Sequence, residues 1–479
     1  MQRLMSVYHR LPAPARSAAA TLRGLYLRMW RFGPESEKLM QEALERDNWP
    51  AERWKAWREE RMAYVLHRAA TQVPYYREQW AARRRQGDGA SWELLENWPI
   101  LEKDVVREHA RGFVADDCDT RRMFHEQTSG TTGKPLEIWR TRKTVEGLYA
   151  IAEARTRVWE GIPDTARWAR LGGQLVTPIR QRKPPFWVWN AVGRQLYMST
   201  FHLAPDLIPS YLDALRAYRI EYLGGYTSSL AALAHEVLRL GRTDLSMRAV
   251  FTNAEPVHED QRAVISEAFQ CPVRESYGMA ESVAFASECR AGRLHQWPEI
   301  GHIEVMDNGE HVGPDVSGDL VCTSLLNADM PLIRYRVGDR GRMADASEQC
   351  SCGRRLPLLS GIDGRKNDLL LTRDGRQIFW LNPVFYGLPV RQSQIVQQAL
   401  DRIQVLVAPG AGFSEDVGVT IVQRLKTRMG DGVDIALQIV DEVPRTAAGK
   451  LQAVVCRLSP QERDAILRGA RESATAKSA

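Results

Sequence analysis

The sequence is poor in cysteine and contains no long apolar run. Its seven cysteines in 479 residues, an odd number, do not resemble a disulfide framework. No apolar stretch reaches the roughly 20 residues that a membrane-spanning helix needs, and the first residues lack the apolar core of a secretory signal. These absences exclude a small disulfide-rich fold, and they predict a cytoplasmic protein without a transmembrane segment.

Acidic residues are absent from the N-terminal arm, residues 1–34, which contains six arginines. The remaining 59 basic residues equal the 59 acidic residues in number, so the net charge of +6 belongs to this arm. Because the basic and acidic residues outside the arm are equal in number, the composition argues against a general nucleic-acid-binding surface. The arm also carries leucine, tyrosine and tryptophan. Two interpretations stay open: a helix packed on the body with its arginines in water, or contact with a membrane or protein partner.

The pattern of apolar residues predicts an α/β protein. Residues 36–85 have a helical pattern, and between 145 and 260 short β-like runs alternate with helix-like segments. Such alternation is typical of a mostly parallel sheet. Residues 300–345 have a β pattern, and a β-α-β unit follows the polar stretch Gly361–Asp368.

We therefore expect a large N-terminal domain with mostly parallel sheets and a small β region, followed by a small mobile α+β C-terminal domain. The expected boundaries are a helical region at 1–90 that belongs to the large domain, a nucleotide- and acid-binding part at 91–366, and the C-terminal domain at 367–479. A homodimer is also open.

The stretch Thr128–Leu136 concentrates hydroxyl groups, glycines and one lysine. Glycines let backbone N–H groups approach a ligand, and hydroxyls with a lysine suit phosphate oxygens. The spacing is not that of a Walker loop, because two residues rather than four separate Gly130 from Gly133 and Pro135 follows Lys134. Taken alone, a stretch this short is better explained as a Gly/Thr-rich surface turn.

Three further polar clusters follow at predicted strand ends or loops. They are Glu275–Glu281, Arg334–Gly341 and Pro444–Lys450. Each alone is consistent with a solvated turn or a salt-bridge cluster. We call Thr128–Leu136 the Gly/Thr loop. This loop, the three clusters and Gly364-Arg365, taken in their order along the chain, resemble the core motifs of the adenylate-forming superfamily of acyl- and aryl-CoA ligases. The resemblance extends from about residue 128 to residue 450, which is most of the chain.

This resemblance implies a role for each matched residue. The Gly/Thr loop with Lys134 would hold the ATP phosphates, Glu281 would help to hold Mg²⁺, and Lys450 would act during adenylation. The remaining nucleotide-binding residues that it implies are Thr128, Ser129, Gly130, Thr131, Thr132, Gly133, Ala254, Glu255, Pro256, Tyr277, Gly278, Asp339 and Arg365. Tyr277 would pack on the adenine, and Asp339 would bind the ribose hydroxyls.

Within the superfamily, the sequence is most similar to phenylacetate–CoA ligases and their relatives in capsule clusters, through Val73–Tyr76, Gly225–Leu230 and Ala254–Pro256. Tyr226 and Phe285 are the predicted acid-pocket walls, and Gly375 would line the CoA channel. The chain departs from the family at the hinge, where Asn367 stands in place of aspartate or lysine. This departure concerns the thioester-forming step rather than adenylation.

Two cysteine-containing segments form a possible metal set: Cys289 with His295, and Cys350 with Cys352. Three thiolates and one imidazole suit structural Zn²⁺. The spacing alone leaves free thiols in two unrelated loops equally open. Some phenylacetate–CoA ligase relatives have a zinc-binding Cys/His set in this region, and that resemblance favours zinc.

The resemblance implies an enzyme that uses ATP and Mg²⁺ to activate a carboxylic acid as an acyl-adenylate and then transfers the acyl group to CoA. Two alternatives stay open. One is the same adenylation with an amine or amino-sugar acceptor in polysaccharide biosynthesis. The other is a non-catalytic scaffold or sensor, which the retained Lys134, Glu281, Asp339, Arg365 and Lys450 argue against.

Overall fold

The computed structural model describes residues 7–127, 136–178, 181–203, 206–365, 370–373, 377–378, 381, 384–385, 388–430, 432–446, 451–459, 461–463 and 465–466. Contacts divide the chain into two units. The first consists of Met1–Val257, Gln261–Val337 and Gly341–Ile362, and the second of His258–Asp260, Gly338–Arg340 and Asp363–Ala479. The boundaries expected after residues 90 and 366 stay predictions.

Helices make up the first third of the described chain. They are followed by helices that alternate with strands, and by one helix near the C-terminus. Their bounds are α1 Ala13–Arg31, α2 Ser36–Arg46, α3 Ala51–Gln72, α4 Pro74–Arg85, α5 Lys103–Glu108, α6 Arg142–Glu153, α7 Ile208–Ala217, α8 Thr227–Arg239, α9 Glu259–Phe269 and α10 Glu415–Met429. Proline sets several of these limits: α3 follows Pro50 and ends before Pro74, which opens α4.

Most of the strands are short. Their bounds are β1 Phe124–Gln127, β2 Glu137–Arg140, β3 Trp168–Gly172, β4 Trp187–Asn190, β5 Gln195–Ser199, β6 Tyr222–Tyr226, β7 Ala249–Asn253, β8 Val273–Gly278, β9 Phe285–Glu288, β10 Leu294–Gln296, β11 Gly301–Asp307, β12 Glu310–His311, β13 Gly318–Ser324, β14 Tyr335–Met343, β15 Leu358–Arg365, β16 Leu370–Leu371, β17 Gln377–Ile378, β18 Val390–Ala399, β19 Arg402–Pro409, β20 Asp434–Ile439 and β21 Val454–Cys456.

Within the described residues, thirteen strands form one sheet, in the order β12-β11-β13-β14-β15-β10-β9-β8-β7-β6-β3-β5-β4. Strands β5, β3, β6, β7 and β8 run parallel to their neighbours in this series, whereas β4 and β9 to β12 pair in antiparallel fashion. The predicted α/β class is confirmed. The β region continues the parallel part of the sheet instead of forming a sheet of its own.

Two large apolar cores account for most of the buried apolar residues in the first unit. One lies around the parallel strands, where Leu171, Leu223 and Leu230 are fully buried. The other packs the N-terminal helices on the antiparallel strands, with Tyr76 of α4 and Tyr335 of β14 almost completely buried. The hydroxyl of Tyr76 donates to the Pro331 carbonyl and accepts from the Ile333 N–H, so these helices are fixed on the sheet by hydrogen bonds as well as by burial.

The C-terminal unit has its own sheet and core. Strands β20, β19, β18 and β21 form a sheet in that order, with an antiparallel β18–β19 pair at its centre. Helix α10 is followed by Gly430, whose φ of 95° is readily accessible only to glycine. Ile395, Val405 and Leu425 form part of its buried core. Of the helices in the described part of the chain, none is both long and apolar enough to cross a bilayer.

Candidate functional site

Three neighbouring parallel strands carry predicted site residues at their carboxyl ends. The register pairs Tyr226 of β6 with Asn253 of β7, and Asn253 with Ser276 of β8. Tyr226, the segment Ala254–Pro256 and Tyr277 therefore follow one another along one edge of the sheet. In open α/β sheets, ligands bind at this edge. The fold thus brings together residues that lie up to 51 positions apart in the chain.

Glu255 holds the segment Ala254–Pro256 against the start of α8. Its Oε2 accepts a hydrogen bond from the Ser228 N–H, with an N–O distance of 2.8 Å, and its carbonyl accepts from the Thr227 hydroxyl. A carboxylate is favourable at a helix N-terminus. Ala254 has a φ of 63°, in the left-handed region that residues with a Cβ seldom adopt. The contacts of Glu255 therefore hold an uncommon backbone conformation at the strand end.

Gly278 and Phe285 lie opposite each other on β8 and β9. A Cβ at position 278 would lie 2.4 Å from the Phe285 ring, so a side chain there would displace it. The ring is fixed on its other side by Trp297, with centroids 5.1 Å apart. The other predicted pocket wall, Tyr226, is on β6. Three strand spacings, about 14 Å, separate β6 from β9, so these two walls are not cross-strand neighbours.

Glu281 is buried and paired. Its Oε1 accepts hydrogen bonds from the Lys103 ammonium at 2.7 Å and from the Tyr335 hydroxyl at 3.0 Å. Burial by itself would raise the pKa of Glu281. The charge and hydrogen bond of Lys103, with the hydrogen bond of Tyr335, outweigh burial and lower this pKa below its ordinary value. The predicted Mg²⁺ ligand is therefore a carboxylate held ionised in a buried position.

The position of Lys103 follows from a short backbone bridge. Leu101 pairs with Tyr335, and its N–H donates to the Arg334 carbonyl. This contact places the first residue of α5, Lys103, beside the strand that carries Tyr335. The cation and the hydroxyl that bind Glu281 therefore come from segments that are directly bonded to each other.

The predicted Gly/Thr loop lies outside the described residues except for Leu136, and its two flanks form a hairpin. Gln127 at the end of β1 pairs with Glu137 at the start of β2. Arg140, at the other end of β2, is almost fully buried and donates to the Ala280 carbonyl and the Ser282 hydroxyl. Arg140 therefore bonds the hairpin to the residues immediately before and after Glu281.

Several other predicted residues cannot be placed in the same way. Lys134, Asn367, Gly375 and Lys450 lie outside the described residues. Asp339 lies on β14 and Arg365 ends β15, and both are grouped with the C-terminal unit. Their predicted roles stay predictions.

The cysteine–histidine cluster consists of Cys289, His295, Cys350 and Cys352, whose ligand atoms all lie within 4.8 Å of one another. The sulfur atoms of Cys289 and Cys350 are 3.6 Å apart, and Sγ of Cys352 is 3.3 Å from Nε2 of His295. In a zinc tetrahedron, sulfur atoms are about 3.8 Å apart and sulfur and nitrogen about 3.5 Å apart, as follows from the usual bond lengths. The four side chains therefore fit a closed zinc site.

Three elements assemble this cluster. Cys289 follows β9, His295 is on the paired strand β10, and the turn at Cys350–Gly353 precedes β15, which pairs with β10. Burial, with the charge of Arg354 next in effect, lowers the pKa of His295 to about 4. The imidazole is therefore neutral, as a metal ligand must be.

The surroundings of the cluster include the N-terminal helices. The Trp159 ring lies edge-on to His295, and its indole N–H donates to the Asp47 carboxylate at 2.7 Å. Asp47 also accepts from the buried Arg155, and its carbonyl accepts from the Arg355 N–H. The segment after α2 is thus bonded to the strands that carry the cluster.

Lys103, Tyr335 and Arg140 are contacts of the site that the sequence analysis did not identify. Lys103 lies 178 positions before its partner Glu281. The residue type of Lys103 and its neighbours in the sequence give no sign of that partner. Only the pairing of Leu101 with β14 brings the two side chains together.

Comparison with known proteins relates the chain to CapK and to phenylacetate–coenzyme A ligases. Residues 370–457 match the CapK C-terminal domain family. The chain is 26% identical to protein CapK of Staphylococcus aureus, over 74% of this chain and 78% of that protein. It is 24% identical to the phenylacetate–coenzyme A ligase of Thermus thermophilus, over 85% of this chain and 97% of the relative.

The fold agrees with these relationships. A crystal structure of 2-hydroxyisobutyryl-CoA ligase in the postadenylation state, in complex with 2-HIB-AMP, superposes with a TM-score of 0.67 at 21% identity. The match covers 89% of this chain and 94% of that one. In sequence, the chain is similar to CapK and to the phenylacetate–coenzyme A ligases, and its fold is that of a CoA ligase of the adenylate-forming type.

Proposed function

We propose that this protein is an AMP-forming acid–CoA ligase. It activates a carboxylic acid as an acyl-adenylate with release of pyrophosphate, and then transfers the acyl group to CoA. A carboxylate that attacks the α-phosphate of ATP meets strong negative charge, so the reaction needs positioned cations. The relatives named phenylacetate–coenzyme A ligase support both the reaction and the acceptor.

The observation that carries this proposal is the common sheet edge that holds Tyr226, Ala254–Pro256 and Tyr277, with the buried carboxylate of Glu281 following β8. A strand edge of this kind suits a nucleotide, and an ionised buried carboxylate suits a hard divalent cation. Arg140 bonds the base of the β1–β2 hairpin to the backbone beside Glu281. The hairpin that bears the predicted phosphate-binding loop is thereby anchored next to the predicted metal ligand.

Each side chain has a proposed task. Tyr277 packs on the adenine, Asp339 binds the ribose hydroxyls, and Arg365 contacts the nucleotide. The loop with Lys134 holds the β- and γ-phosphates, and Glu281 helps to hold Mg²⁺, which when bound neutralises phosphate charge.

The proposed tasks in the C-terminal segments concern both half-reactions. Lys450 stays protonated and supplies the positive charge for the attack of the carboxylate. Asn367 is the proposed hinge, where asparagine tolerates unusual backbone dihedral angles. Gly375 lines the CoA channel.

A second acceptor class deserves a test because the C-terminal segment matches the CapK C-terminal domain. In that alternative the adenylate forms in the same way, and an amine or amino sugar takes the acyl group. The difference concerns only the second half-reaction.

Acid-dependent pyrophosphate exchange tests the proposal. The protein is incubated with ATP, Mg²⁺ and separate pools of aromatic, fatty and short carboxylic acids, with and without CoA. Exchange together with a thioester product supports the ligase. Exchange without thioester favours the amine or amino-sugar acceptor, and no exchange with any acid favours a non-catalytic scaffold or sensor.

A structural Zn²⁺ is proposed for Cys289, His295, Cys350 and Cys352. The closed set of four protein ligands leaves no open position for catalysis. Its task would be to join β9 and β10 to the turn before β15. Protein purified without chelator should contain about one equivalent of zinc. Less than a tenth of an equivalent, measured by atomic emission, would contradict the site.

A cytoplasmic location and a homodimer are proposed as well. Cell fractionation tests the first. The mass measured by light scattering in solution tests the second.

A further inference from the structure

Helix α1 is fixed on the body by its small and polar residues. The Ser17 hydroxyl accepts from the Trp189 N–H at 3.2 Å, and the Thr21 hydroxyl donates to the Trp189 carbonyl. Gly24 is buried, and a Cβ there would lie 2.1 Å from the Asn190 side chain. These contacts hold one face of α1 against β4. The opposite face of the helix therefore points away from the body.

That opposite face is apolar. Leu22, Leu25, Tyr26 and Met29 are 69%, 47%, 40% and 54% exposed. Their spacing of i, i+3, i+4 and i+7 makes one stripe along the helix. An amphipathic helix of a globular protein normally turns such a stripe inward. Here the small residues face the body, and these four large apolar residues face outward. The stripe is therefore a surface that suits an apolar partner.

Arginines border the stripe on both sides. At 100° per residue, Arg23 and Arg28 lie on opposite flanks of the stripe, and both are exposed. Arg10 is exposed beyond the N-terminal end of the helix. No aspartate or glutamate occurs among residues 1–34. The partner must therefore combine an apolar layer with negative charge at the height of the flanking arginines.

An anionic lipid surface has this arrangement. Its acyl boundary accepts leucine, methionine and tyrosine, and its phosphates lie where flanking arginines reach. A second copy of this chain is disfavoured by charge, because a two-fold contact of the same face would bring arginines against arginines. The same charge argument favours lipid phosphates over an average protein surface.

We propose that α1 is a peripheral membrane-binding helix that lies in the surface of an anionic bilayer. Leu22, Leu25, Tyr26 and Met29 enter the boundary of the acyl chains, and Arg23 and Arg28 contact the phosphates. This inference does not depend on the proposed ligase activity, because α1 contains none of the predicted site residues.

Vesicle sedimentation with the full chain tests the helix. The probes are vesicles of phosphatidylglycerol with phosphatidylcholine, and vesicles of phosphatidylcholine alone. We expect binding to the anionic vesicles to be at least about ten-fold stronger, and to fall about as much between roughly 0.1 and 0.5 M salt, because salt screens the arginines. The double variants Leu22→Gln/Met29→Gln and Arg23→Gln/Arg28→Gln should each weaken binding about five-fold or more.

Matched controls alter exposed residues elsewhere. Leu94→Gln/Val316→Gln removes two side chains that are 51% and 50% exposed, and Lys55→Gln/Arg402→Gln removes the same charge as the arginine variant. Both controls should bind like the wild type. Thermal melts verify folding, and if one α1 variant melts early the other decides the test.

Three outcomes would overturn the proposal. The first is absence of wild-type binding to the anionic vesicles; if the protein is then a dimer in solution that the Leu22→Gln/Met29→Gln variant abolishes, the stripe belongs to a second copy. The second is equal binding to both kinds of vesicle. The third is an equal loss of binding in the α1 variants and the controls.

Discussion

The ammonium of Lys103 lies 2.7 Å from Oε1 of Glu281, and the Tyr335 hydroxyl donates to the same oxygen. This carboxylate is buried, whereas the Lys103 side chain keeps 34% of its surface exposed. A carboxylate in this position stays ionised only because donors replace its lost water. The predicted Mg²⁺ ligand therefore depends on a lysine that is distant in sequence.

Removing that lysine should destabilise the fold. For Lys103→Met we expect a loss of about 2 kcal/mol in the free energy of unfolding, less than for a fully buried pair because Lys103 is partly exposed. Lys103→Arg should retain most of the stability. Urea denaturation measures both variants. Equal losses in the two would show that packing, rather than charge, explains the effect.

The loss should depend on pH. A lowered pKa in the folded state means that the Glu281 contribution is present above the ordinary pKa of glutamate and is lost as pH falls through the folded value. In Lys103→Met burial is less opposed, which raises the pKa of Glu281. The difference in unfolding free energy between wild type and Lys103→Met should therefore be larger near about pH 7 than near about pH 4. A difference that is constant over this range would contradict the charge assignment.

Gly278→Ala should disturb the Phe285 ring. A methyl group at 278 meets that ring at 2.4 Å, and Trp297 limits its retreat. We expect the free energy of unfolding to fall by about 1–3 kcal/mol, as for other overpacked sites. The double variant Gly278→Ala/Phe285→Leu should recover part of this loss.

Gly313→Ala is the matched control for this test, because nothing lies within 4 Å of the added Cβ. It should leave the unfolding midpoint close to that of the wild type. If Gly278→Ala also behaves like the wild type, the Phe285 contact does not constrain position 278.

Cys352→Ser should remove the proposed zinc. We expect the metal content to fall from about one equivalent to less than a tenth, with a loss of at least about 3 kcal/mol in unfolding free energy, because metal binding is coupled to folding. Cys118→Ser is the control, since Cys118 lies outside the cluster. Unchanged zinc in Cys352→Ser would reject the proposed ligand set.

Lys450→Ala should separate the two half-reactions. We expect acid-dependent pyrophosphate exchange to fall by about 10²-fold or more, because the cation near the developing charge is lost. Thioester formation from supplied acyl-AMP should remain largely intact. Lys38→Ala, at a side chain that is 70% exposed, is the control. An equal loss of both half-reactions would contradict the role given to Lys450.

The local pattern of apolar residues and prolines was sufficient to predict much of the fold. The alternation of helix-like and strand-like segments between 145 and 260 predicted the parallel strands, and Pro50 and Pro74 set helix limits that any conformation of this chain must respect. The β pattern after 300 was also recognised. Its continuity with the parallel strands was not, because strand pairing depends on contacts between segments that are remote in sequence.

The site divides in the same way. Sequence motifs identified Tyr277, Glu281 and the cysteine–histidine set, because the residue type determines the chemistry of a side chain. The motifs could not identify Lys103 or Arg140, which matter only because they lie close to Glu281 and its neighbours. The pattern of apolar residues along the chain does not predict such a contact.

The sequence by itself determined the α/β class, the order of the ligase-like motifs and the charge of the N-terminal arm. Tertiary structure decided which groups meet: four ligand atoms within 4.8 Å, one lysine on one buried carboxylate, and an apolar stripe of α1 turned away from the body. The physical reason is that burial and pairing are properties of neighbours in space. A side chain brings its charge and its donors from the sequence, but the fold decides what they contact.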